Sequence, residues 1–197
     1  MSEPHTLRGL MGLPAEPAPL SRSALIMIDL QNTYTRGVMR LENVEPALEE
    51  AASLLDRARS AGARVVHVRH DAGAGTPYDV NAPIGAIHRS VAPRDGEPVV
   101  TKNFPSSFVQ TGLADLLDGY QDLVLAGFMT HMCVNSTARS AFSGGYAPTV
   151  VAAATATRDL PNVDGTTVPA AQVHAAALAG LSDLPGIVVP DHTSVPD

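Results

Sequence analysis

The chain is 197 residues long, 45% apolar and 17% charged, which suits one folded domain and argues against a disordered protein. A formal net charge of −7 argues against a surface for nucleic acid or for an anionic membrane. A single cysteine excludes an internal disulfide, and no apolar run reaches the roughly 18 residues that span a bilayer, so a cytoplasmic protein is expected.

Residues 1–20, MSEPHTLRGLMGLPAEPAPL, hold four prolines and no continuous apolar core. They do not read as a signal peptide. An extended arm is expected over 1–20, packed on the domain or on a neighbouring subunit, with the folded domain over 21–197. The first strand is expected at Ala24–Leu30, nearly all apolar until Asp29. Apolar positions at Val44, Leu48, Ala51, Ala52, Leu55 and Ala58 predict a helix over Val44–Ser60, stopped by Gly62. A β-branched strand at Arg64–Arg69 comes next. The stretch Asp71–Gly96 is rich in glycine and proline, and a loop of that length is suited to form part of a substrate pocket. Further strands are expected at Pro98–Lys102, Leu123–Ala126, Thr149–Ala152 and Ile187–Val189. Helices are expected at Ser106–Leu117, Cys133–Ser143 (ended by Gly144-Gly145) and Pro169–Leu181. Continuous apolar runs of this length suit strands buried on both faces. The rhythm predicts a three-layer, Rossmann-like α/β fold: an open, mainly parallel six-stranded sheet with helices on both faces and right-handed crossovers.

Open α/β sheets bind ligands beyond the carboxyl ends of their strands. The polar residues expected there are Asp29, Gln31 and Asn32 after the first strand, Lys102 and Asn103 after the third, and Thr130, His131 and Cys133 after the fourth. Taken singly, each has an ordinary reading: a buried small apolar cysteine, a capping aspartate, a solvated lysine. Taken together, they bring a carboxylate, an amine and a thiol to one sheet edge. A helix start and a nearby ammonium favour the thiolate. Asp29 is then suited to accept the thiol proton and return it to a leaving amine, while backbone amides of the turn hold the oxyanion.

These residues resemble the isochorismatase-like cysteine hydrolase family over roughly Leu25–Leu181. The carriers are IDLQN with Asp29, VVTKNFPSSF with Lys102, and AGFMTHMCVNSTARSAFSGGY with Cys133. The resemblance implies a six-stranded parallel sheet and a catalytic triad of Asp29 (base), Lys102 (electrostatic partner) and Cys133 (nucleophile), hydrolysing amides through a thioester. It also implies a cis peptide at Phe128–Met129, with the amides of Met129 and Cys133 forming the oxyanion hole. A homo-oligomer, dimer or tetramer, is implied as well.

Two departures from the family pattern stand out. The metal-binding aspartate and histidines of nicotinamidases are not reproduced in VHVRHDAGAGTPYDVN, so neither a metal nor another cofactor is expected. Ala153 stands where family members often have an aspartate. His67 reads as core or wall, and His70 as a pocket candidate. Gln31, Tyr34, Phe104, Phe108, Thr130 and His131 complete the pocket candidates; core packing is the competing reading for the three aromatics, and a helix interface for His131. The expected function is cleavage of a C–N bond (amide, lactam or carbamoyl) in a small molecule. The alternatives are an isochorismatase-type vinyl-ether hydrolase, against which Cys133 counts, and a non-catalytic binding protein on the same fold.

Overall fold

The computed structural model describes residues 5–197; the first four residues of the expected arm lie outside the described residues. In chain order the elements are α1 (Leu7–Leu10), β1 (Ala24–Ile28), α2 (Val44–Ser60), β2 (Arg64–His70), β3 (Val99–Lys102), α3 (Leu113–Leu116), β4 (Asp122–Phe128), α4 (Asn135–Ser143), β5 (Ala147–Ala156), β6 (Leu160–Pro161), β7 (Thr167–Val168), α5 (Ala170–Ser182) and β8 (Ile187–Val189). Six of the strands form one parallel sheet in the order β3-β2-β1-β4-β5-β8, and β6 and β7 make a small antiparallel hairpin.

The two-sided burial that the apolar runs imply is visible residue by residue. Leu25 and Met27 of β1 point into one core with Leu48, Leu54 and Leu55 of α2. Ala24, Ile26 and Ile28 point into the other with Leu113, Leu117, Val134, Ala138 and Leu181. A strand covered by helices on both sides has no face to leave polar, hence ALIMI rather than an alternating pattern.

The structure departs from the sequence expectations in four places. The first is in the arm, which contains a helical turn, Leu7–Leu10, capped by the Thr6 hydroxyl accepting from the Gly9 N–H. Arg8 anchors it to the domain: its N–H donates to the Asp183 carbonyl and its guanidinium to those of Pro14 and Leu184. The second is the expected helix Ser106–Leu117, of which only Leu113–Leu116 is α-helical. Serine and threonine hydroxyls take the preceding backbone into turns instead, with Ser106 Oγ accepting from the Phe108 N–H and Thr111 Oγ1 donating to the Ser107 carbonyl. The third is β5, which runs to Ala156, five residues beyond the Val151–Val189 pair where β8 ends. The fourth is the helix expected from Cys133, which begins at Asn135 after a wider π-type turn over Thr130–Val134.

Candidate active site

The strand order reverses between β1 and β4, and this is the switch point at which a doubly wound sheet opens a crevice at its carboxyl edge. Asp29 follows β1 there in a left-handed conformation, φ 50°, which aspartate tolerates better than most residues. Its N–H donates to the Val68 carbonyl and its carbonyl accepts from the Gln31 N–H. Lys102 ends β3. Cys133 sits in the turn after β4, and the Phe128–Met129 bond that leads into this turn is cis. At Gly127 the two central strands run close together, and φ is 131°.

These three elements bring Asp29, Lys102 and Cys133 together. Lys102 Nζ lies 2.7 Å from Asp29 Oδ2 and donates to Cys133 Sγ at 3.3 Å. Asp29 and Lys102 are almost completely buried, and Cys133 is 6% exposed. The Lys102–Asp29 contact is a buried ion pair at hydrogen-bond distance, and Lys102 and Cys133 are the hydrogen-bonding side chains that face the Asp29 carboxylate. A carboxylate whose burial raises its pKa is a good proton acceptor.

The electrostatics correct one expectation. The sequence suggests a resting thiolate. In the structure burial, and after it the Asp29 charge, push the Cys133 thiol up to about 12, against the opposing pull of Lys102. Burial also raises Asp29, with Lys102 pulling the other way. For Lys102, burial favours the neutral amine, but Asp29 and Cys133 together outweigh it and the group is held above its ordinary value. The resting arrangement is therefore a protonated thiol beside an ammonium–carboxylate pair.

The pocket candidates separate into several groups. Tyr34 is buried between Phe128 and Tyr78, with ring centroids at 5.7 and 5.8 Å, and Tyr78 in turn meets His70 at 5.0 Å. Burial, then the charges of Asp29 and Cys133, raise the Tyr34 phenol, which places this aromatic chain beside the cluster. Gln31 is not a wall. Its amide is buried, accepts from the His70 N–H at 2.8 Å, and donates to the carbonyls of His70 at 2.9 Å and Gly85 at 2.7 Å, extending the β1–β2 pairing by one side chain. Phe108 stacks on Tyr146 at 5.5 Å by the amino end of β5 and packs into the core; Phe104 is largely exposed. Thr130 and His131 are tethered sideways, Thr130 Oγ1 to His174 Nδ1 at 3.0 Å and His131 Nδ1 to Thr157 Oγ1 at 2.6 Å. His67 is a core residue, its Nε2 3.0 Å from Glu97 Oε2.

The long loop is pinned to the segment after β1 by the Asn32 N–H on the Ala86 carbonyl, the His88 N–H on the Leu30 carbonyl, and the Thr33 hydroxyl between the Pro77 and Ile84 carbonyls. Sequence reasoning missed two residues here. Tyr78, inside that loop, carries no periodic signal. Arg158 follows β5, with a buried Nε that has no hydrogen-bond partner among the described residues; burial raises the Tyr78 phenol against the pull of the Arg158 charge, and burial and then that charge lower His131. A lone arginine after a strand gives no sign in sequence of where its charge will point. Ala153 is exposed where β5 outruns β8, and lines a cleft of about 550 Å³ between the amino ends of α2 and α5.

A doubly wound α/β sheet that gathers a carboxylate, a lysine and a thiol at its carboxyl edge is an α/β sheet of the kind that binds ligands at that edge. The chain belongs to the isochorismatase family: the Isochorismatase domain model matches residues 23–189. It is 36% identical over 187 residues to a secreted isochorismatase effector, Isc1, of Verticillium dahliae, covering 93% of this chain and 96% of that one. It is 34% identical over 149 residues to a maleamate amidohydrolase of Pseudomonas putida, covering 66% and 70%. An isochorismatase structure from Pseudomonas putida superposes with a TM-score of 0.93 at 39% identity, covering 98% of this chain and 99% of that one. No helix among the described residues is long and apolar enough to cross a membrane. Because a relative is a secreted protein, a lone cysteine does not fix the compartment.

Proposed function

We propose that this protein is a cysteine amidase that hydrolyses a C–N bond of a small molecule through a thioester. The observation that carries this reading is the Lys102 ammonium standing 2.7 Å from Asp29 and 3.3 Å from Cys133, with all three side chains buried. Cys133 Sγ attacks the substrate carbonyl carbon as Asp29 takes the thiol proton, so no free thiolate need accumulate at rest. The amides of Met129 and Cys133 receive the oxyanion. When the tetrahedral intermediate collapses, the C–N bond breaks and Asp29 returns the proton to the leaving nitrogen. Water then attacks the thioester with Asp29 again as base, the C–S bond breaks, and the acid departs with the thiol restored. Lys102 offsets the negative charge that passes between Asp29 and sulfur.

The Arg158 Nε, buried without a hydrogen-bond partner among the described residues, supports an anionic substrate whose carboxylate pairs with the guanidinium. The exposed Leu7, Leu10 and Met11 of the arm and the exposed alanines Ala171, Ala175, Ala176 and Ala179 of α5 support a homo-oligomer, to be read by light scattering on the purified chain. The function is tested by screening small amides, carbamoyl compounds and lactams for ammonia or ring-opened product, with and without a carboxylate. Ammonia released from amides by the wild type and not by Cys133→Ala is expected; turnover of vinyl ethers alone, undiminished in Cys133→Ala, would replace the amidase with an isochorismatase-type reaction.

A further inference from the structure

Lys102 Nζ has a third neighbour. His70 Nδ1 lies 3.4 Å away, so the three protons of the ammonium face Asp29, Cys133 and His70. The His70 backbone is fixed on both its N–H and its C=O by the Gln31 amide. Its ring is held edge-on to Tyr78. A histidine anchored in both backbone and ring, at hydrogen-bond distance from a buried ammonium, is placed to do one thing. We infer that His70 is a positioning residue for Lys102: its neutral Nδ1 accepts the third ammonium proton and so holds the other two on Asp29 and Cys133. This inference rests on the cysteine-amidase reading and adds a residue to it.

The chemistry is specific to one protonation state. An ammonium only donates, so Nδ1 must carry a lone pair and the ring proton must sit on Nε2. Protonating His70 removes the acceptor and sets a second cation against Lys102, turning the ammonium away from sulfur. The charged and titratable groups around the ring are Lys102 on β3, Asp29 after β1, Asp71 at the start of the long loop and Tyr78 within it. Burial first, and then Lys102, lower the His70 pKa, while Asp29 and Asp71 oppose them. At neutral pH the accepting form therefore prevails.

The test follows the iodoacetamide alkylation rate of Cys133 against pH in the wild type, His70→Phe and His70→Asn. Phenylalanine keeps a ring against Tyr78 but accepts nothing; asparagine offers an acceptor near the Nδ1 position and does not titrate. His70→Phe is expected to alkylate about tenfold more slowly near neutral pH, with His70→Asn within about threefold of wild type. The wild-type profile is expected to steepen below the His70 pKa and His70→Asn to lack that bend; a bend that persists unchanged in His70→Asn belongs to another group and overturns the inference. A wild-type rate in His70→Phe, or a His70→Asn variant as slow as His70→Phe, would overturn the inference. Should His70→Phe not fold, the presence or absence of the bend in His70→Asn still decides the matter. Alkylation needs no substrate, so the result stands apart from the amidase reading, which falls on its own if Cys133→Ala still turns amides over.

Discussion

Gly127 passes so close to Ile28 that a β-carbon on Gly127 would stand 1.9 Å from the Ile28 carbonyl oxygen. With φ at 131° as well, the position accepts only glycine. Gly127→Ala is expected to push β4 off β1 and to cost about 2–4 kcal/mol. Chemical denaturation, read as a lower midpoint at unchanged slope, checks this.

Cys133→Ala and Asp29→Asn are each expected to abolish amide turnover, the first by removing the nucleophile and the second its proton acceptor. The loss falls on kcat, not mainly on KM. Cys133→Ala is expected to melt near the wild-type temperature, because it removes one sulfur. In the wild type, kcat is expected to fall on the acid side at a pH above the ordinary aspartate value, since burial raises Asp29 and only its ionised form accepts a proton. Steady-state rates across pH and thermal melts of each variant measure both effects.

Lys102→Met leaves the Asp29 charge buried and unpaired. Breaking a buried pair from one side typically costs about 3–5 kcal/mol, so this variant is expected to be far less stable than wild type at neutral pH. Losing the ammonium raises Asp29 further, so the variant regains stability as pH falls and the carboxyl protonates. The double variant Asp29→Asn/Lys102→Met is expected to be more stable than Lys102→Met alone. Denaturation of the three proteins at neutral and acid pH decides the point; equal loss in single and double variants would mean the ion pair is not what holds this region.

Glu97 sits among the Arg59 guanidinium, the Arg94 N–H and His67, and its carboxyl is lowered from 4.5 to about 2, chiefly by Arg59. A depressed acid contributes stability above its unfolded pKa and loses it as pH falls through the folded value. Glu97→Gln is therefore expected to be less stable by about 1 kcal/mol at neutral pH, solvent screening having reduced the pair's worth. The difference should vanish between the ordinary glutamate value and about 2. Acid unfolding curves of the two proteins check it.

The strands and their burial were legible in the sequence because an apolar run such as ALIMI has no other stable place than the middle of a covered sheet. The grouping of Asp29, Lys102 and Cys133 was legible for the same reason: each stands at or just after the end of a strand that the sequence marks. What it hid was competition at short range. The stretch Ser106–Gly112 has residues that a helix accepts, but their hydroxyls satisfy the backbone first. Gln31 looks like a pocket residue by position, and only its pairing with the His70 backbone makes it a structural one. The state of the thiol was hidden too, because it depends on how deeply three segments bury one another, and no segment alone determines that.

Lys102 rides on β3, a four-residue strand at the sheet margin that is bonded to β2 alone. Marginal strands open at lower free energy than the whole molecule. The lysine is thus expected to leave its partners while β1, β4 and the helices stay folded. Moderate heat or denaturant should then silence Cys133 reversibly while circular dichroism still reads native, and amide hydrogens of Val99–Lys102 should exchange ahead of those of Leu25–Ile28. The protein's working range would be narrower than its folded range, and set from the rim of the sheet.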